Sequence, residues 1–455
     1  MIDINILLRA YRLMCQASAM ADTYEANRPV CKYVHSTSRG HEAIQLAAAF
    51  HLHPHDYVSP YYRDESLIMG IGFSPYEQML QLLAKGNDIF TGGREYYSHP
   101  NYKGGDRPTI IHQSSATGMQ AIPTTGVAQG VKYRAQTSEG FRETVVLCSL
   151  GDASMTEGEV SEALQFAVLK QLPIIYLVQD NNWGISVTAE EARAMNAFEF
   201  AAGFKGLKRV QVDGSDFEAS YAVMKEVVDF VRQERKPYLV HAQVPLLGHH
   251  TSGVRKEFYR TEEDLARHSV NDPVPKLRQK LLERQVPENE IIQIEKEALA
   301  LVSNDFARAM AAPEPDPATV EQHVFAPTLV TEEKGERCPA GAEKVMMVDA
   351  ALFAIREIME AHPEAVLYGQ DVGKRLGGVF REAATLGEQF GEHRVFNTAI
   401  QEAYVVGSTA GMSAVGLKPI VEVQFADYIY PGFNQLVTEV SKSCYLSCGK
   451  FPVSM

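Results

Sequence analysis

Two short polar runs hold the residues best suited to chemistry, and each closes an apolar stretch. The first contains Asp152, in "VVLCSLGDASMTEGE" at residues 145–159. An apolar run of strand type stops at Gly151, and a helical pattern with further acids follows Asp152. The second is "QDNNWG", residues 179–184, which ends the apolar run "LPIIYLVQD". Strand, helix and strand between them make one right-handed crossover. Both runs therefore reach the same edge of a parallel sheet, where open α/β sheets bind ligands. A carboxylate and an amide meeting there supply hard oxygen ligands. Mg2+ takes such oxygens in an octahedron completed by water and substrate phosphates. The pattern points to a metal–diphosphate site. A competing reading assigns Asp152 to the cap of the next helix, and Asn181 and Asn182 to a turn. The absence of a G-x-x-x-x-G-K-[ST] loop argues against an ordinary P-loop nucleotide site.

Regular elements must position these residues. Residues 3–26 and "GHEAIQLAAAF" read as helices, and "SPYYRDESLIMGIG" as an aromatic–basic loop entering a helix. The stretch 90–116 is rich in Gly, Tyr and polar residues, and reads as a long ordered loop of functional type. "ETVVLCSL", "LPIIYLVQD", "KRVQVDG" and "PYLVHAQV" read as buried strands separated by helical patterns. Such alternation implies a parallel sheet covered on both faces. The pattern lapses from 306 to 343 in a Pro-, Glu- and Ala-rich linker, then resumes as a second α/β run. Its last elements are the strand "KPIVEVQFAD" and the helix "GFNQLVTEVSKSCYL", and "GKFPVSM" reads as the start of another strand. The expected division is a domain at 1–305, a linker at 306–343 and an incomplete second domain at 344–455.

Composition narrows the function classes. The 455 residues carry 43 basic and 57 acidic side chains, a net charge of -14. This disfavours nucleic acid as the main partner. Of six cysteines only Cys444 and Cys448 are close in sequence, and a lone C-x3-C reads as ordinary reduced thiols. The N-terminus lacks the apolar core of a signal peptide, and no run approaches a membrane span. A cytoplasmic protein with no membrane partner is expected.

"GDASMTEGE…QDNNWGIS" resembles the thiamine diphosphate motif, which begins Gly-Asp-Gly and ends in paired Asn. More narrowly, with "RVQVDGSDF" and "LLGHHTSG", it is similar to the alpha subunit of E1 components of 2-oxo acid dehydrogenase complexes. "AVLYGQDVG…GGVFR…NTAIQEAYVVGSTAGM…VEVQFADYIYPGFNQ" resembles the opening half of the beta subunit. The resemblance implies a fused alpha–beta chain with the beta part truncated. The fold would be α/β, with two thiamine diphosphate-binding-type domains whose parallel sheets are flanked by helices, the second incomplete.

The resemblance also implies roles. Mg2+ would be held by Asp152, by Asn181 at 29 positions further on, and by the backbone carbonyl of Trp183. Gly151 and Ala153 flank the acid in the cofactor motif. Arg63 would clamp the diphosphate beside Tyr62, a task that suits a guanidinium. His250 matches the active-site histidine, with His249 less favoured, and Arg260 falls where the family has a loop arginine. Ser115 and Thr117 lie in the segment whose backbone holds the aminopyrimidine ring. Glu402 matches the carboxylic acid that hydrogen-bonds the ring nitrogen N1', and burial is expected to raise its pKa. Ile400, Gln424 and Tyr428 match residues lining that pocket. Two positions depart from the family. Its basic residue before the paired Asn is Gln179 here, and its potassium-site Thr aligns with Met119, so no potassium ion is expected.

The implied activity is oxidative decarboxylation of a 2-oxo acid, with acyl transfer to the lipoyl group of an E2 acyltransferase. "GGVFR" and "FADYIYP" lean towards branched-chain substrates such as 3-methyl-2-oxobutanoate. Pyruvate or acetoin dehydrogenase E1 is the alternative, and a non-catalytic fragment that docks other subunits is the alternative of another class. The family places alpha-type and beta-type domains of different protomers at one cofactor, so a homo-oligomer of at least two chains is expected. A second active-site histidine and a C-terminal domain of the family's beta part have no counterpart here. Weak cofactor binding and inactivity of this chain alone, with a complete parent as the enzyme, are the corresponding expectations.

Overall fold

The computed structural model describes residues 2–138, 143–327, 332 and 334–455. Strands β1 (Tyr57–Ser59), β2 (Thr109–Ile110), β3 (Val146–Gly151) and β4 (Ile174–Asp180) belong to the first sheet. A small antiparallel hairpin, β5 (Trp183–Gly184) and β6 (Val187–Thr188), follows them. Strands β7 (Lys208–Asp213) and β8 (Tyr238–Gln243) complete the first sheet. Its order is β2-β1-β3-β4-β8-β7, and every pairing is parallel. Val146, Leu147, Cys148 and Leu150 on β3 and Ile174 to Val178 on β4 are 0% exposed. Helices cover both faces, which is why these strands read as unbroken apolar runs.

Register decides what shares an edge. Ser59 pairs with Cys148, Gly151 with Gln179 and Asp180 with Gln243. The segments after β1, β3, β4 and β8 thus leave the sheet side by side.

The second sheet holds β9 (Ala365–Gly369), β10 (Val395–Asn397) and β11 (Lys418–Glu422), in the order β10-β9-β11, all parallel. It docks through helix Glu402–Ala414, which crosses helix Ala121–Thr137 of the first half. A Cβ on Gly126 would lie 2.3 Å from the Ser408 carbonyl oxygen, and one on Gly411 would lie 1.8 Å from that of Pro123. Only glycine permits this approach. Beside the crossing, the rings of Phe166 and Tyr404 stack with centroids 3.8 Å apart. Buried residues of both halves form one apolar cluster, with Phe166 and Tyr176 packed among Val366, Tyr368 and Tyr404.

Some elements differ from the sequence expectation. Strands β1 and β2 are too short to show a periodicity. The expected helix "GFNQLVTEVSKSCYL" breaks into Ile429–Gln435, a wide π-type turn at Leu436–Val440, and Ser443–Leu446. "GKFPVSM" forms no strand, although Phe451 is buried. Helix Glu288–Ala311 runs across residue 305 into the expected linker. No helix among the described residues is long and apolar enough to cross a membrane.

Candidate functional site

The segments leaving the first sheet bring Tyr62, Arg63, Asp152, Asn181, Trp183 and His250 together. Arg63 is 0% exposed, and its Nη atoms donate to the carbonyls of Thr37 at 3.4 Å and His250 at 3.3 Å. Its Nε has no partner. A buried guanidinium that forms no ion pair with a carboxylate is costly until an anion joins it. His250 Nδ1 accepts from the Ile185 N–H at 3.1 Å, so Nε2 carries the proton and donates to the Tyr62 hydroxyl at 3.1 Å. Burial, and then Arg63, push the His250 pKa down to about 3, so the ring is neutral. Ile185 has φ +59°, a costly left-handed conformation for a β-branched residue. The strain sits where the backbone reaches His250.

Asp152 is not a helix cap. Helix Gly158–Lys170 begins after Glu157, while the Asp152 carboxylate accepts from Arg193 Nη1 at 2.7 Å. Arg193 Nη2 also donates to both Asp180 oxygens, at 2.7 and 2.8 Å. Asp180 in turn accepts from His241 Nε2 at 2.8 Å. Burial, and then the Asp180 carboxylate, raise the Asp152 pKa to about 7. Burial acts the same way on Asp180, but hydrogen bonds from His241 and Arg193 outweigh it and hold that carboxyl low. A guanidinium thus stands between two carboxylates at the strand ends. Asn182 has φ +66°, which asparagine tolerates. Asn181 Oδ1 accepts from the Trp183 N–H at 3.0 Å.

Among the described residues, no three His, Cys, Asp or Glu converge as a metal centre. The expected set of Asp152, Asn181 and Trp183 has only one such residue. Its donors are a carboxylate, an amide oxygen and a peptide carbonyl, which suit a hard divalent ion. Arg193 now pairs with the Asp152 carboxylate at 2.7 Å, so a divalent ion there would take the place of that guanidinium. Asp180, Arg193 and His41, whose Nε2 lies 3.3 Å from Asn181 Nδ2, went unread in the sequence. Asp180 stood in the quoted run, but counting from Asp152 passed over it. Arg193 and His41 gave no local signal.

Ser115 and Thr117 are exposed at the rim of a narrow cleft with Tyr61, Tyr62 and His99. Their segment is tied to the second half by Ser114, whose N–H and hydroxyl donate to the buried Glu439. Ala153 lies against Gly184, where an added Cβ would be 3.5 Å from that of Ala153. His249 turns away, accepting from the Lys256 N–H at 3.1 Å. Arg260 pairs with Asp264 at 2.6 Å, and its guanidinium lies 5.5 Å from the centre of the Trp183 ring. Met119 is buried, and its carbonyl accepts from Gln435 at 3.2 Å.

The residues expected from the second half form a separate group at the end of the second sheet. Glu402 begins its helix and accepts from Gln370 Nε2 at 2.9 Å. It is half-buried in the single chain. Gln424 donates to Asp371 at 3.1 Å, Tyr428 is 42% exposed and Ile400 is 81% exposed. No hydrogen bond among the described residues joins this group to Arg63, Asp152, Asn181 or His250.

Residues 12–318 match the family described as dehydrogenase E1 component, and residues 343–454 match the transketolase pyrimidine binding domain. The 2-oxoisovalerate dehydrogenase subunit alpha of Bacillus subtilis is 28% identical over 291 residues, covering 63% of this chain and 85% of that protein. The subunit beta from Pseudomonas aeruginosa is 43% identical over 109 residues, 24% of this chain and 31% of that protein. The pyruvate dehydrogenase E1 component subunit beta of Acholeplasma laidlawii is 43% identical over 111 residues, 24% of this chain and 34% of that protein. The first match spans most of the first half and the second falls on the second sheet with its helices. With the polar strand-end cluster, they establish that the chain belongs to the dehydrogenase E1 component family, an alpha-type part followed by a beta-type pyrimidine-binding part.

Proposed function

We propose that this chain acts in the thiamine diphosphate- and Mg2+-dependent oxidative decarboxylation of a 2-oxo acid, with the acyl group passed to the lipoyl group of an E2 partner. The observation that carries the reading is Arg63, a fully buried cation without an acidic partner beside the oxygen donors of Asp152, Asn181 and Trp183. Arg63 and Tyr62 bind the diphosphate, and Asp152, Asn181 and the Trp183 carbonyl hold Mg2+. Gly151 and Ala153 leave room beside that acid. Ser115 and Thr117 hold the aminopyrimidine through their backbone, and Ile400, Gln424 and Tyr428 line its pocket. Glu402 would hydrogen-bond the ring nitrogen and share a proton with it, and neutral His250, its Nε2 donating to Tyr62, would stand beside the diphosphate. When bound, the cofactor supplies a nucleophilic carbon and an electron sink.

The two groups of residues belong to one site when two copies of the chain meet, which accounts for the openness of Ile400 and Tyr428. A branched-chain substrate is favoured by the 2-oxoisovalerate relatives of both halves. Pyruvate is the second reading, because a relative named for it matches the beta-type part at the same 43% identity. The test is calorimetry with thiamine diphosphate and Mg2+, followed by turnover of a 2-oxo acid panel with an artificial electron acceptor. Asp152→Ala is expected to weaken cofactor binding by about 100-fold or more, as loss of a metal's only carboxylate should. Equal binding by Asp152→Ala would refute the metal assignment, and no turnover on any panel member would refute the activity.

A further inference from the structure

An asparagine can offer a cation its oxygen only if its amide is turned the right way. Oxygen and nitrogen are nearly equal in shape, so the neighbours decide. Here the decision begins at Asp64, 1% exposed, which as a carboxylate only accepts. It accepts from the Tyr61 N–H at 3.0 Å and from Gln179 Nε2 at 2.7 Å. Gln179 Nε2 also donates to Ser149 Oγ at 2.9 Å. Gln179 Oε1 is left to accept, from Gln45 Nε2 at 2.9 Å and from His41 Nδ1 at 2.9 Å. His41 therefore carries its proton on Nδ1 and a lone pair on Nε2. Asn181 Nδ2, 3.3 Å from that lone pair, must be the donor. Its Oδ1 then faces away from His41. His41, Gln45, Ser149 and Gln179 are all 0% exposed, so no water can substitute for a link.

We propose that Asp64, Gln179 and His41 form a hydrogen-bond relay that fixes the amide of Asn181 with its oxygen, which accepts one N–H from Trp183, turned towards a cation and away from His41. His41 is the positioning residue at its end. The relay also gives Gln179 a task at the place where the resemblance led one to expect a basic residue. The inference rests on Asn181 as a metal ligand, as proposed above. The Trp183 N–H favours the same orientation, so the test must separate the two influences.

Mn2+ is the probe, titrated with saturating thiamine diphosphate. It is read by the spin resonance of free Mn2+ and by the fluorescence of Trp183, the chain's single tryptophan. Supporting partners of metal ligands are worth about 10–100-fold in affinity, and His41→Leu should lose that much. His41→Gln keeps one donor and one acceptor and should stay within about threefold of wild type. In an Asn181→Asp background the ligand has no wrong face, so His41→Leu should then cost less than about threefold. Equal cost in both backgrounds, or a His41→Gln as weak as His41→Leu, overturns the relay. If leucine at 41 prevents folding, Asp64→Asn keeps every heavy atom but can donate to Gln179 and reverse the chain. It should weaken Mn2+ about tenfold, and unchanged affinity overturns the proposal. A wild-type chain that binds no Mn2+ overturns the metal assignment and the relay with it. Wild-type binding that is indifferent to positions 41 and 64 overturns the relay alone.

Discussion

At the end of the first sheet His41, Arg63 and Gln179 are 0% exposed and Asp152 is 5% exposed, whereas at the end of the second Ile400 is 81% exposed and Tyr430 73%. Both groups lie at the carboxyl ends of parallel strands. The first is closed by its own helices and by a hydrogen-bond network anchored on Asp64. The second keeps Phe425, Tyr428 and Phe433 open to solvent. One half is preorganised by folding alone. The other presents an apolar, partly aromatic surface of the kind that marks a binding face.

Four substitutions break or sharpen that contrast. Glu402→Gln should leave Mg2+–thiamine diphosphate affinity within a few-fold and cut turnover by about 10^3, as loss of a proton-transfer group does. A parallel fall in affinity would mean that the open half also carries binding. Gly411→Ala drives a Cβ to 1.8 Å from the Pro123 carbonyl oxygen. It should cost about 3 kcal/mol in urea unfolding, because backbone must move. A neutral result would show that the halves are not bound through this crossing.

The third prediction concerns pH. Burial raises the Glu439 pKa from 4.5 to about 7, against the hydrogen bonds from Ser114. The folded state therefore holds a proton that the unfolded state releases at lower pH. Stability from this group is present below about pH 4.5 and is lost as pH rises to about 7, by up to about 3 kcal/mol. Glu439→Gln should flatten the melting temperature between these limits. Buried Glu65 and Glu95, also raised to about 7 by burial, keep a residual slope of the same sign. An unchanged profile would remove Glu439 from the link between the halves. The smallest effect belongs to Ile400→Ser, expected within about 0.5 kcal/mol of wild-type stability at dilutions where the chain is single, because there the side chain is already in water. A larger loss in thermal unfolding would mean that the second half is covered in solution.

Particular residues show how far the sequence could be read. The apolar runs of β3 and β4 lie where the pattern puts them, because both faces of the sheet are buried. The left-handed φ of Asn182 gives a reason for an asparagine at that position. The break after Gln435 was hidden, because a π-type turn keeps the apolar spacing of a helix. Asp152 as a cap remained open on sequence alone, since a strand-end acid looks alike whether it caps or pairs.

The sequence by itself determined what is local along the chain: alternating strands and helices, and the edge shared by Asp152 and Asn181. Periodicity and spacing act over a few turns, and no fold is needed to read them. The tertiary structure alone decided that Arg193 stands between Asp152 and Asp180, and that His41 meets Gln179 from 138 positions away. It also decided that Glu402 stays half-open. Those facts depend on which buried groups find partners once distant segments pack, and burial has no period along the chain.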